Sequence, residues 1–185
     1  MSAQSGANAQ LARRVRMIII DVDGVMTDGG IYTGVTASGE TLELKRFEIT
    51  DGLGVKMLTR AGLFVYVVSG RHSDANRVRA IELEVEYREA HGGFKLQVVE
   101  QLRQQHGLLW DEVCCIGDDL ADLPIVKCSG LSVAVANAVP EVKAASKWHT
   151  KRAGGNGAVR ELAESILRAR GEWDALVEEY LRERS

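Results

Sequence analysis

The chain has 185 residues, 45% of them hydrophobic, and a formal net charge of -3 with both signs interspersed. That length can bury a single core without staples, and the near-balanced charge argues against a nucleic-acid or other polyanion surface. Three cysteines, two of them adjacent at Cys114 and Cys115, form neither a disulfide framework nor a metal pattern, and no apolar run is long enough to span a bilayer, so a cytoplasmic protein without a membrane partner is expected.

Residues 1–14 are small, polar and basic with no apolar signal core, and read as a disordered tail. A single domain is expected over 15–170. Met17-Ile18-Ile19-Ile20 is an unbroken apolar run ending in Asp21, Val22, Asp23 and Gly24, the pattern of a strand buried on both faces whose polar residues stand at its exit. Asp21 and Asp23 lean to the same side while the chain stays extended. One carboxylate can attack phosphorus, and a second can protonate the leaving oxygen and then activate water. Two negative groups facing an anionic substrate call for a hard divalent cation, most naturally Mg²⁺. Asp-x-Asp-Gly is also an ordinary turn or helix cap.

Residues 30–47 read as an inserted β-hairpin, two alternating segments around Gly-Val-Thr-Ala-Ser-Gly. A hairpin alone is marginal in water, so it is expected to pack on this subunit or on another copy. A helix opens at Asp51-Gly52 and stops at Gly62. Leu63 to Val68 is a second buried strand, running into Ser69-Gly70-Arg71, where a hydroxyl, free amides and a guanidinium suit a phosphate as well as a plain turn. A helix from Ser73 to Leu83 and a short strand at Val85 to Tyr87 follow. Lys95 begins the next helix, where a cation opposes the helix dipole; it is either a solvated lysine or a charge placed for function. Glu112 to Ile116 is a third buried strand, ending in Gly117-Asp118-Asp119-Leu120-Ala121-Asp122. Asp118 and Asp122, four apart, would share a helix face as a metal site or as acidic caps. Leu131 to Val135 is another core strand, Lys147 to Thr150 an edge strand, Ala158 to Arg170 a helix after the loop Gly154-Gly155-Asn156-Gly157, and residues 171–185 a C-terminal helix.

Strands alternating with helices give a doubly wound α/β fold with a mostly parallel sheet, Rossmann-like in outline, and each acidic or polar motif falls at a strand exit, where such sheets bind ligands. DVDGVMTDG, Ser69-Gly70-Arg71, the lysine before a helix and GDDLADLP match, in order and spacing, the four motifs of the haloacid dehalogenase superfamily of phosphatases. More narrowly, DVDGVMTDGGIY, FEITDGLGVKML, GLSVAVANAVPEV and GGNGAVRE resemble the 3-deoxy-D-manno-octulosonate 8-phosphate phosphatases over about residues 15–170. The resemblance implies an Mg²⁺-dependent phosphomonoesterase working through an aspartyl phosphate. It makes Asp21 the nucleophile and Asp23 the acid/base. Asp21, the Asp23 carbonyl and Asp118 become metal ligands with Asp122 in support, and Ser69 and Lys95 hold the phosphoryl group, beside Gly70 and Arg71. It also implies a homotetramer with hairpins at the interface.

No segment is long enough to be a cap domain, so water exclusion must come from elsewhere. A neighbouring subunit is the expected supplier, with the Gly154 to Gly157 loop and its following helix as the candidate. Relatives commonly carry GGRG where this chain has Gly-Gly-Asn-Gly, and Asn156 brings no charge to a substrate carboxylate. A nine-carbon keto acid phosphate is therefore an alternative substrate. A receiver-like signalling domain and a non-catalytic assembly module are the alternatives from other classes.

Overall fold

The computed structural model describes residues 3–185, with side chains described from residue 9 onward. Six parallel strands form the main sheet among the described residues, in the order β5-β4-β1-β6-β7-β8. They are β1 (Met17–Ile20), β4 (Phe64–Ser69), β5 (Glu86–Glu89), β6 (Val113–Gly117), β7 (Leu131–Ala134) and β8 (Trp148–His149). The two strands between β1 and β4, β2 (Tyr32–Val35) and β3 (Thr41–Leu44), form a separate antiparallel hairpin. The central β1 pairs with β4 on one side and β6 on the other, which is why its isoleucines Ile18, Ile19 and Ile20 are buried on both faces. Burying each such side chain contributes about 1.5–3 kcal/mol.

The helices are α1 (Ala3–Arg14), α2 (Ile49–Arg60), α3 (Asp74–Glu82), α4 (Lys95–Gln105), α5 (Leu123–Cys128), α6 (Pro140–Ala145), α7 (Ala158–Arg170) and α8 (Trp173–Arg182). The chain leaves β1 for β4 and β5, then crosses back to β6, β7 and β8. Right-handed crossovers place the two sets of connecting helices on opposite faces of the sheet. The packing agrees: α2 lies on α7, which also meets α1 and α8, while α5 lies between α4 and α6. The reversal between β1 and β6 is the topological switch point, where the carboxyl ends of adjacent strands diverge and leave a crevice.

The disordered tail expected over residues 1–14 is corrected from Ala3 onward. Ala3–Arg14 is helical, Ala12 is buried in the core, and Arg13 Nε donates to the Ala169 carbonyl at 2.8 Å, so tertiary packing on α7 holds a segment with weak helical amphipathicity of its own. Residues 1 and 2 lie outside the described residues. Asp118 and Asp122 do not share a helix face as expected. Asp118 lies just beyond β6 outside any helix, Asp119 is extended, and a tight 3₁₀ turn at Leu120–Asp122 intervenes before α5 begins. Among the described residues no helix is long and apolar enough to cross a membrane.

Asp51, in the first turn of α2, joins the two most closely packed helices. Its Oδ1 accepts from the Arg160 amide at 2.7 Å, one of the α7 N-terminal amides that the helix cannot satisfy itself. Burial pushes its carboxyl up to about 6, and Oδ2 has no hydrogen-bond partner among the described residues. Between the ordinary value of 3.8 and about 6 the folded chain therefore binds a proton that the unfolded chain has released. The Asp51 contribution to stability is greatest at low pH and falls as pH rises through that window. Asp51→Asn keeps the acceptor without the charge. Urea denaturation at a series of pH values is expected to show a shallower fall in stability for the variant than for wild type between pH 4 and 6.5.

Candidate active site

Asp21 continues directly from β1, its amide bonded to the Ile116 carbonyl of β6 at 3.2 Å, so the sheet itself fixes this side chain at the switch point. The next residues make a tight turn closed by the Thr27 amide on the Val22 carbonyl at 3.0 Å. Buried Thr27 holds it from inside: its hydroxyl accepts from the amides of Gly24 at 3.3 Å and Gly29 at 3.2 Å, and donates to the Val22 carbonyl at 3.2 Å. Gly24 adopts φ +91°, and a Cβ there would lie 2.0 Å from Asp118 Oδ2, so glycine lets the Asp118 carboxylate come this close.

Asp21, Asp118 and Asp122 each offer a carboxylate oxygen, all within 4.8 Å of one another. Lys95, at the start of α4, reaches in between: Nζ lies 2.5 Å from Asp21 Oδ1 and 2.6 Å from Asp122 Oδ1, with the lysine 4% exposed. That contact explains the cation at an unfavourable helix end. Asp122 is committed on both oxygens, since Oδ2 accepts from the amides of Asp118 at 3.0 Å and Asp119 at 3.4 Å. It therefore braces the Asp118 loop, while Asp118 Oδ1 is buried without a partner among the described residues.

The electrostatics follow from the count of charges. One ammonium faces three carboxylates in a largely buried crevice. Burial, then Asp122, push the Asp21 carboxyl well above the usual range, with Lys95 acting against them. Burial followed by Asp122 raises Asp118 to about 6. Burial also works against the charge on Lys95, but Asp21 and Asp122 outweigh it and raise its pKa. An orphaned acceptor beside clustered carboxylates with uncompensated charge is a donor set that fits a hard divalent cation. Asp21 and Asp118 have oxygens available to one.

The other predicted positions are placed as follows. Asp23 is partly buried, and its Oδ1 meets Lys45 Nζ at 2.6 Å. Ser69 is buried at the end of β4, its hydroxyl accepting from the Arg71 amide at 3.2 Å within its own turn. Arg71 turns outward to Glu43 at 3.2 Å, and Gly70 packs beside Gly93. Asn156 is exposed, and its amide donates to the Gly154 carbonyl at 3.0 Å, closing its own loop. That loop lies on its own chain: the Gly155 amide donates to Val25 O at 3.0 Å, and a Cβ on Gly154 would meet Gly24 O at 1.8 Å. Gly154 must pack on the turn that follows Asp21 in the same subunit.

Sequence reasoning missed Lys45, whose side chain is fully buried between Asp23, Asn76 Oδ1 at 2.9 Å and Glu43 at 3.6 Å. The available signal was its period-two spacing from Glu43, which puts both on one face of a hairpin strand. It also missed Asn137, which donates to Gly24 O at 3.0 Å and accepts from the Gly154 amide at 2.7 Å, tying the loop to the turn.

Residues 89–162 match the haloacid dehalogenase-like hydrolase family model. The chain is 36% identical over 163 residues to the 3-deoxy-D-manno-octulosonate 8-phosphate phosphatase KdsC of Escherichia coli strain K12, covering 88% of this chain and 85% of that protein. A similar solved structure is that of the 3-deoxy-D-manno-octulosonate 8-phosphate phosphatase from Moraxella catarrhalis in complex with magnesium ion, phosphate ion and KDO. Its TM-score is 0.87 and its identity 33%, with 94% of this chain and 97% of that one covered. The cobalt-bound deoxy-D-mannose-octulosonate 8-phosphate phosphatase of Haemophilus influenzae is 38% identical with a TM-score of 0.79, covering 88% and 92%.

Removing the ammonium leaves buried acids facing one another. Lys95→Met is expected to destabilise the chain by about 3–5 kcal/mol, the cost of breaking a buried ion pair from one side. Urea unfolding in EDTA measures it, and an unchanged midpoint would show that Lys95 is not what holds the acids together.

Proposed function

The chain belongs to the 3-deoxy-D-manno-octulosonate 8-phosphate phosphatase family of haloacid dehalogenase-like hydrolases, and from that membership we propose that it hydrolyses 3-deoxy-D-manno-octulosonate 8-phosphate to the free sugar acid and inorganic phosphate. The observation that carries this reading is the meeting of Asp21, Asp118, Asp122 and Lys95 at the carboxyl ends of β1 and β6. Sheet hydrogen bonds hold Asp21 rigidly, as a nucleophile attacking along a defined line requires.

In the proposed sequence an Asp21 oxygen attacks phosphorus. The new O–P bond forms as the ester P–O bond breaks, and Asp23 gives its proton to the departing sugar oxygen. In the second half, Asp23 takes a proton from water, whose oxygen attacks the aspartyl phosphate and releases phosphate and the Asp21 carboxylate. Lys95 and the Ser69 hydroxyl hold the phosphoryl oxygens, and the amides beyond Ser69, at Gly70 and Arg71, line the same strand exit. Asp21 and Asp118 would hold Mg²⁺, with the Asp23 carbonyl as a further ligand and Asp122 bracing Asp118. When bound, the ion offsets the charge of the phosphoryl group and orients it. Lys45 orients Asp23 through their 2.6 Å contact.

The same reading makes the protein a cytoplasmic homotetramer. Free, buried Cys114 and Cys115 agree with a reducing compartment. Directly opposed residues of a hairpin share a face, so Tyr32, Leu44 and Leu42 lie together, 60%, 55% and 45% exposed. That apolar face supports burial against other copies, whose presence would also shield a site that has no cap of its own.

Two measurements test these readings. Phosphate release from the octulosonate 8-phosphate is expected to stop on chelation and return with Mg²⁺, and to slow by roughly 10²–10⁴ in Asp23→Asn; an unaltered rate removes Asp23 from the acid/base role. Light scattering of a Tyr32→Glu, Leu44→Glu variant is expected to give a smaller particle than wild type, and an equal mass would place the assembly surface elsewhere.

A further inference from the structure

A substrate with a phosphoryl group at one end and a carboxylate at the other needs a second cationic contact away from the phosphoryl site. The cations around the crevice are not equally able to supply it. Lys95 is held between Asp21 and Asp122, and the Lys45 side chain is fully buried against Asp23 and Asn76. Arg71 is paired with Glu43 at 3.2 Å.

Arg46 differs. It follows Lys45 just beyond β3 and is anchored by a neutral group: Nη1 donates to the Gly155 carbonyl at 2.9 Å. Its ion-pair partner is Glu48, whose Oε2 lies 3.5 Å from Nη2 while Oε1 caps α2, accepting from the Thr50 amide at 3.3 Å and hydroxyl at 3.2 Å. An exposed pair of that length holds weakly, so an incoming carboxylate can compete for the guanidinium. The Arg46 side chain is 48% exposed, and its guanidinium keeps several of its five N–H donors for another acceptor.

Its position bears on the reaction. The Gly154 to Gly157 loop that anchors Arg46 is bound to Val25 and Gly24, within the turn that begins at Asp21 and Asp23. Residues 45 and 46 thus bridge two walls of the same mouth, Lys45 on Asp23 and Arg46 on Gly155. Asn156, on that loop, offers no charge. We propose that Arg46 is the specificity residue that recognises the substrate carboxylate, its planar fork pairing with both carboxylate oxygens. The inference rests on the proposed activity and adds to it the group that separates a sugar acid phosphate from a neutral sugar phosphate.

The test compares kcat/KM for 3-deoxy-D-manno-octulosonate 8-phosphate with that for arabinose 5-phosphate, which carries a phosphoryl group and no carboxylate. Wild type is expected to prefer the octulosonate. Arg46→Gln is expected to lower its kcat/KM on the octulosonate by roughly 10- to 100-fold, mainly through KM, the range for losing a hydrogen-bonded charge contact. The arabinose 5-phosphate value is expected to stay unchanged, and Arg46→Lys to recover part of the loss. A wild type that handles both substrates equally overturns the proposed activity and this inference with it. A wild type that discriminates, together with an Arg46→Gln variant that keeps the preference or loses equally on both substrates, overturns the Arg46 inference alone.

Discussion

The structure depends on a charge imbalance held in place by one lysine. Asp21, Asp118 and Asp122 converge in one crevice, and the Lys95 ammonium touches two of them, Asp21 and Asp122. Isolated carboxylates would not stay there, because burying a charge without a partner is expensive. The sheet forces the approach: β1 and β6 are hydrogen-bonded neighbours, so the residues leaving their ends cannot separate until they clear the last rung at Asp21 and Ile116. The stabilisation that tolerates the strained electrostatics comes from the core beneath, where β1 is buried on both faces.

Around this centre the chain uses short pieces where a lidded enzyme would use a domain. The turn after Asp21 is held by Thr27 from within and by Asn137 and Gly154 from outside. The hairpin has two different faces. Its polar face, with Glu43 and the following Lys45, turns toward Asp23, while Tyr32, Leu42 and Leu44 remain apolar and open. A strand's period of two lets one small insertion both contact a proposed catalytic acid and leave an apolar face exposed.

Much of the architecture was legible in the chain because buried parallel strands announce themselves as apolar runs. MIII, LFVYVV and EVCCI fall on β1, β4 and β6 to within a residue, and the helix over Ala158–Arg170 begins where the glycine-rich loop before it ends. Less legible were features that owe their conformation to distant partners. The segment Ala3–Arg14 is helical because α7 receives it, and its own composition carries little amphipathic signal. The loop at Gly154 folds onto its own turn because glycine admits a contact no side chain would allow, a fact about Gly24 as much as about Gly154.

The sequence by itself determined the doubly wound sheet and the set of acids at its strand exits, since hydrophobic period and strand-end position are local properties. Only the tertiary structure decided which charges meet. Lys95 reads locally as a lysine at the wrong end of a helix, Lys45 as one polar residue in an alternating strand, and Asp122 as a helix cap. Their roles arise from partners 74, 22 and 27 positions away along the chain. Pairing at that separation is set by how the sheet brings strand ends together, and no local pattern encodes it.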